Sequence, residues 1–123
     1  MMKKQIGRWA IFLSILLVLW LLVAPPRWWL NLTKPVDMSD PVAAGTAVVA
    51  EYDCRNCHRI DGWGGLMATT LDGVTNRLDD GIIRTWLRNP RAVDSATAMP
   101  NLRLSDAEIE AVLAYLKAVD GSG

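Results

Sequence analysis

Cysteine and histidine are scarce in this sequence. Its 123 residues include two cysteines and one histidine. A structural zinc site takes four Cys or His ligands, so the chain has too few donors for one. A thioredoxin-like redox site needs a βαβ setting, and no buried parallel strand is predicted near the cysteines. The simplest alternatives are a structural disulfide and a chance occurrence of two cysteines with no chemical role.

Acidic residues are missing from the first 34 positions, which carry five basic ones: Lys3, Lys4, Arg8, Arg27 and Lys34. The formal net charge is zero, so residues 35–123 hold the other 8 basic side chains against all 13 acidic ones. A protein that binds nucleic acid needs a basic face. The acidic main part therefore argues against a nucleic-acid partner.

An apolar run extends from Trp9 to Ala24 and contains a single polar residue. As a helix it spans about 24 Å, somewhat less than a hydrocarbon core of about 30 Å. Trp28 and Trp29 suit an interfacial aromatic belt at its end. A cleaved signal peptide is the alternative, but no A-x-A site follows and Pro25 would hinder cleavage after Ala24. We therefore predict a retained transmembrane anchor.

The basic residues before this run set the predicted orientation. The positive-inside rule keeps Lys3, Lys4 and Arg8 in the cytoplasm. Residues 1–26 then cross the cytoplasmic (inner) membrane of a bacterium once, and the rest lies on the periplasmic or outer face. Residues 27–39 show no sustained apolar period and are expected to form a short interfacial linker.

Both cysteines and the histidine fall in one stretch, Cys54-Arg55-Asn56-Cys57-His58. This spacing is that of covalent c-type haem attachment, with one thioether per cysteine and the histidine as an axial ligand. The motif predicts one covalently attached haem c. A porphyrin also supplies apolar mass that a domain of about 85 residues lacks.

A second axial ligand must come from another residue type, because no second histidine exists. Met99 in a polar loop is the main candidate, since a thioether suits haem iron. Met67 follows the histidine by only nine residues and is expected to pack in its loop. Lysine is a weaker candidate, because Lys117 is on a predicted helix and Lys34 is near the membrane.

Helix signals appear on both sides of the motif. Asp40-Pro41 is an N-cap followed by proline at the first helical position, and Ser105 to Glu108 form a capping box. A short helix before Asn89-Pro90 has an apolar stripe of Ile82, Ile83, Trp86 and Leu87. The glycine-rich residues 59–74 are expected to be a loop, and residues 91–104 a second one. Gly45 is expected to lie near Tyr115 or a neighbouring apolar residue where the first and last helices of the domain cross.

The pattern over about residues 40–120 resembles the class I monohaem cytochromes c. The matching features are Gly45, Tyr52, Cys54-x-x-Cys57-His58, Leu71-x-Gly73, Arg77, Trp86-x-x-x-Pro90, Met99-Pro100 and Tyr115-Leu116. The resemblance implies an all-α fold of three to five helices around the haem. Asp120-Gly121 is expected to end the last helix, which leaves residues 121–123 as a tail. It implies Met99 as the distal ligand. It also implies that Arg77 and Trp86 lie near the propionates, Thr97 near the methionine sulfur, and Leu71 among the haem-binding residues.

One departure from the family concerns the proximal histidine. The family usually has Gly-Pro where this sequence has Ala68-Thr69, and the proline carbonyl accepts the histidine ring N–H. Any backbone carbonyl can accept this hydrogen bond, so we expect the Thr69 carbonyl to replace it.

The resemblance implies an electron-transfer protein with no catalysis of its own, since six-coordinate iron has no open position. The anchor and short linker predict a subunit of a larger respiratory or photosynthetic complex. Candidates are a quinol-oxidising complex such as alternative complex III, a nitric oxide reductase, a terminal oxidase and a reaction centre. Expected partners are integral membrane subunits, membrane lipid and a soluble electron carrier. A haem-based gas or redox sensor and a structural haem subunit are the alternatives.

Overall fold

Helices make up most of this protein. The structure is a computed structural model that describes residues 1–122. Gly123, in the predicted tail, and the side chain of Lys3, in the predicted cytoplasmic cluster, lie outside the described residues. Helix accounts for 63% of the chain and strand for 3%, which confirms the all-α fold. The elements are α1 (Met2–Val23), α2 (Arg27–Thr33), α3 (Pro41–Glu51), α4 (Cys54–Cys57), β1 (Arg59–Ile60), β2 (Trp63–Gly64), α5 (Val74–Arg77), α6 (Asp80–Arg88), α7 (Pro90–Val93) and α8 (Asp106–Gly121).

Helix α1 makes little contact with the rest of the chain. Its segment Lys4–Val23 has a mean hydropathy of 2.3 and is 0% buried. The helix ends just before Pro25 and Pro26, which lack the N–H that a continuing helix needs. By length and composition α1 is able to cross a membrane, and an N-terminal signal sequence would meet the same criteria.

Helices α3 and α8 cross at Gly45 and form the centre of the core. A Cβ at Gly45 would lie 2.1 Å from the Ala111 carbonyl oxygen and 2.6 Å from the Tyr115 Cβ. Only glycine permits this approach, and the predicted contact between Gly45 and Tyr115 is confirmed. The buried apolar residues of the two helices include Val48, Val49, Ile109, Ala111, Val112, Leu113, Tyr115 and Leu116.

The predicted helix starts are confirmed by their caps. The Asp40 carboxylate accepts the Ala43 N–H at 3.0 Å. Ser105 Oγ accepts the Glu108 N–H at 3.2 Å, and Glu108 Oε2 accepts the Ser105 N–H at 2.6 Å. Both hydrogen bonds of the capping box are therefore present.

Two segments predicted to lack regular structure contain short elements. Residues 27–33, inside the predicted linker, form helix α2. In the predicted loop, β1 and β2 form a two-residue antiparallel hairpin. Asp61 and Gly62 close it with φ of 54° and 77°, and this left-handed pair turns the chain within two residues.

Two details of the middle helices also differ from prediction. Ile82 was assigned to the apolar stripe of α6, but it is exposed, whereas Ile83 is buried. Neighbouring helical residues point about 100° apart, so the core contacts only one of the two. The polar loop predicted from residue 91 begins with the single turn α7. Among the described residues the domain has six helical segments, of which three are single turns, so three longer helices remain, within the three to five predicted.

Candidate haem site

The two cysteines lie on one helical turn. Asp53, with a left-handed φ of 51°, redirects the chain from α3 into α4, which spans Cys54 to Cys57. Residues at this spacing share a helix face. Both thiols are free and half-buried. Burial raises the pKa of the Cys54 thiol, so this thiol is protonated at neutral pH.

The sole histidine leaves this turn in an extended conformation, and its ring is held by a backbone carbonyl. His58 Nδ1 lies 2.7 Å from the Thr69 carbonyl oxygen. A carbonyl only accepts, so Nδ1 carries the proton and donates. The prediction that the Thr69 carbonyl takes the place of the family's proline carbonyl is confirmed. This tautomer leaves the Nε2 lone pair available to a metal ion.

Arg77 stabilises the backbone that follows this acceptor. Its guanidinium donates to the carbonyl oxygens of Thr70 at 3.0 Å and of Asp72 at 2.5 Å. These two bonds hold the chain immediately after Thr69. The sequence did not predict this role for Arg77, and its expected contact with a propionate stays a prediction.

Asp72 connects the same segment to the hairpin. Its carboxylate accepts Arg59 Nε–H at 2.6 Å and the Gly62 N–H at 3.1 Å. These hydrogen bonds, that of Gly62 first, lower the pKa of Asp72. Its two partners precede it by 13 and 10 positions in a loop, and no short-range spacing rule identifies such a pair.

Arg55, between the two cysteines, joins the motif to the last helix. It donates to the Ile60 carbonyl, the Tyr115 hydroxyl and, at 3.2 Å, the Trp63 carbonyl. Its Cζ also lies 3.9 Å from the centroid of the Trp63 ring, a cation–π contact. Sequence reasoning missed this role, because any exposed arginine in a loop has the same local pattern.

The other predicted site residues lie at several places around the domain. Met99 is half-buried in the loop between α7 and α8, and its N–H donates to Thr97 Oγ1 at 3.2 Å. Trp86 on α6 is half-buried, and Leu71 packs against the core. The structure brings the Thr97 hydroxyl to the backbone of Met99. A contact between Thr97 and the Met99 sulfur stays a prediction.

A cavity of about 540 Å³ lies apart from these residues, between residues 33–40 and helix α3. Its lining includes Ala43, Ala47, Glu51 and Glu108, and none of the predicted haem residues. The haem assignment therefore depends on the motif and on the histidine geometry, not on a preformed cavity.

The donor set fits haem c. Cys54 and Cys57 present two free thiols from one helical turn, and His58 retains one ring nitrogen for iron. Among the described residues no group of three or more His, Cys, Asp or Glu side chains forms a separate metal site. An all-α domain with these features is a haem-attachment domain of the c type.

Comparison with known families agrees with this class. The family model for cytochrome c matches residues 42–120, more than half of the chain, and the protein belongs to the cytochrome c family. Membership implies haem c as the cofactor and supports haem-based electron transfer as the function.

Proposed function

We propose that this protein is a membrane-tethered cytochrome c that carries single electrons through one haem c. Cys54 and Cys57 would hold the porphyrin by thioethers, and His58 and Met99 would be the axial ligands. When bound, haem c supplies an iron that accepts and releases one electron at a time. The hydrogen bond from His58 Nδ1 to Thr69 is the observation that supports this most strongly. It fixes the ring orientation and makes Nε2 a more basic ligand.

The assignment of Met99 is supported by the placement of its competitors. Met67 lies two residues before Thr69, whose carbonyl accepts the His58 Nδ1–H, and is 75% exposed. The sixth ligand would be better supplied by a segment other than the one that binds the His58 ring. Lys34 donates to the Tyr52 hydroxyl at 2.7 Å, and Lys117 is paired with Asp80. These contacts leave Met99 as the candidate with an uncommitted donor atom.

The exposed apolar helix α1 supports the proposed location. A single-pass anchor with the basic N-terminus in the cytoplasm places residues 40–120 on the periplasmic or outer face. That is also the side on which haem c is attached. Residues 1–26, 27–39, 40–120 and 121–123 are then the anchor, linker, haem domain and tail.

We further propose that the chain is a subunit of a respiratory or photosynthetic complex, with membrane subunits and lipid as its direct partners and a soluble carrier as a further one. The tether keeps the haem domain close to the membrane, where such partners lie. Purification in a mild detergent, followed by mass spectrometry of the proteins that come with it, tests this. Isolation of the chain alone under every mild condition would contradict membership of a stable complex.

The electron-transfer role is tested on the purified holoprotein. We expect pigment to stay on the polypeptide through acid–acetone extraction, and a redox titration to follow a one-electron curve. The reduced protein is then mixed with carbon monoxide at neutral pH. Slow or absent binding is expected, because both axial positions are filled. Rapid binding would favour the gas sensor, and the absence of any redox transition would favour a structural haem subunit.

A further inference from the structure

Helix α2 has two chemically different faces. Arg27, Leu30 and Asn31 share one face by helical spacing, and Leu30 is only 6% exposed. Trp28 and Leu32 share the other, and they are 62% and 70% exposed. Arg27 is the only charged residue of this helix, so the outer face is uncharged and apolar.

The inner face is hydrogen-bonded to the start of helix α8. Asn31 Nδ2 donates to Asp106 Oδ2 at 2.7 Å, and the Asp106 N–H donates back to Asn31 Oδ1 at 2.8 Å. Arg27 pairs with the Asp106 carboxylate and donates to the Leu104 carbonyl at 2.8 Å. Several hydrogen bonds to one residue at a helix N-terminus fix the orientation of α2 relative to α8.

The residues on either side of α2 make further contacts with the haem domain. Lys34 Nζ donates to the Tyr52 hydroxyl at 2.7 Å and to the Arg103 carbonyl at 2.9 Å. Ser105 Oγ donates to the Lys34 carbonyl at 3.0 Å. Arg103 also reaches the Leu22 carbonyl, at the end of α1, at 3.4 Å. The chain is therefore held to the domain from the end of α1 to Lys34.

The connection between α1 and α2 is short, which keeps α2 near the end of the proposed anchor. Three residues separate Val23 from Arg27, so the start of α2 is at most about 14 Å from the end of α1. The interfacial layer of a bilayer is about 5–8 Å thick on each side. Tryptophan favours this layer, and Trp28 packs edge-on against Trp29 at a centroid distance of 5.8 Å. A lipid surface is thus the occupant that the position and chemistry of this face favour.

We propose that residues 27–34 form an orientation strap, whose inner face binds the N-terminus of α8 and whose outer face, Trp28 and Leu32, lies in the lipid headgroup layer. The strap holds the haem domain at one fixed orientation above the membrane. This inference rests on the proposed membrane anchor. It makes the first part of the predicted short interfacial linker a rigid connection.

The rigidity is tested on the full-length holoprotein in lipid nanodiscs of phosphatidylcholine and phosphatidylglycerol. Haem attachment uses both native cysteines, so spin labels bind only at the introduced cysteines, Leu19→Cys and Ser122→Cys. Helix α8 is 16 residues long, about 24 Å, so Ser122 is far from the strap. Double electron–electron resonance should give one narrow distance. A broad distribution for this otherwise wild-type protein would overturn the strap.

Matched variants separate the strap from general damage to α8. Asp106→Ala and, from the strap side, Asn31→Ala should each replace the narrow distance with a broad distribution. Glu110→Ala should leave it narrow, because Glu110 is on the same helix, is paired with Arg84 and is equally exposed at 46%. The haem spectrum should be unchanged in all three variants. A narrow distance retained in the double variant Asn31→Ala/Asp106→Ala would overturn the proposal.

A single label at Leu32→Cys tests the lipid face. It should collide with dissolved oxygen more than with a polar nickel chelate, and a label at Ser122→Cys should show the reverse. Equal exposure of both labels to the chelate would overturn the lipid contact. Failure of the protein to enter nanodiscs at all would overturn the anchor itself. A broad distance in protein that does enter them would overturn only the strap.

Discussion

Replacing Gly45 by alanine tests the packing on which the haem domain depends. The new Cβ would lie 2.1 Å from the Ala111 carbonyl oxygen, against 3.4–4 Å for an ordinary contact. Helices α3 and α8 would therefore have to separate by more than an ångström. Overpacking of this kind typically costs about 1–3 kcal/mol, and rigid backbone atoms favour the upper end. Alanine returns up to about 1 kcal/mol through its helix propensity.

We expect Gly45→Ala to lower the free energy of unfolding by about 2 kcal/mol, or Tm by roughly 8–16 °C. Urea unfolding of the detergent-solubilised holoprotein, followed by haem absorption, measures this change. Gly121→Ala is the matched control, because a Cβ there meets nothing within 4 Å. A Gly45→Ala protein as stable as wild type would refute the assignment of this crossing as the tight centre of the core.

Three further predictions concern ligation, attachment and pH. Met99→Ala should keep the haem attached but lose the ferric charge-transfer band of thioether ligation and gain carbon monoxide binding; survival of the band would show that Met99 is not the ligand. Cys57→Ala should lower haem content and the yield of folded domain together, and a normal yield of folded, haem-free domain would contradict this. Hydrogen bonds from Asn31 and Arg27 lower the pKa of Asp106 from 3.8 to about 2, so its stabilisation is complete above about pH 4 and is lost as pH falls towards 2. Asp106→Asn should flatten the fall in unfolding free energy over that range, and an unchanged slope in urea titrations would count against the pairing.

The parts of the fold that the sequence predicted are those with a local or short-range signal. The Ser105–Glu108 capping box needs only four residues, and the spacing of Cys54, Cys57 and His58 is itself the motif. The Thr69 acceptor was predictable because every residue offers a carbonyl at that place, whatever its side chain. These features can be predicted without knowledge of the tertiary structure.

Helix α2 was not predicted because little in its own seven residues specifies a helix. Its N-cap is Pro26, which makes no side-chain cap. Its polar contacts join Arg27 and Asn31 to Asp106, which lies 79 and 75 positions further along the chain. A helix this short is unstable alone, so tertiary bonding decides its structure. Ile82 was misassigned for a related reason, since two adjacent apolar residues do not reveal which one the core contacts.

The crossing of α3 and α8 also has a consequence for the order of biogenesis. Gly45 precedes the Cys-x-x-Cys-His stretch and Tyr115 follows it on α8, so their contact closes the domain only after α8 has been made. A chain still being synthesised displays its thiols before α8 exists. Attachment of the haem thus has a time window before α8 docks and completes the core against which the half-buried Cys54 packs.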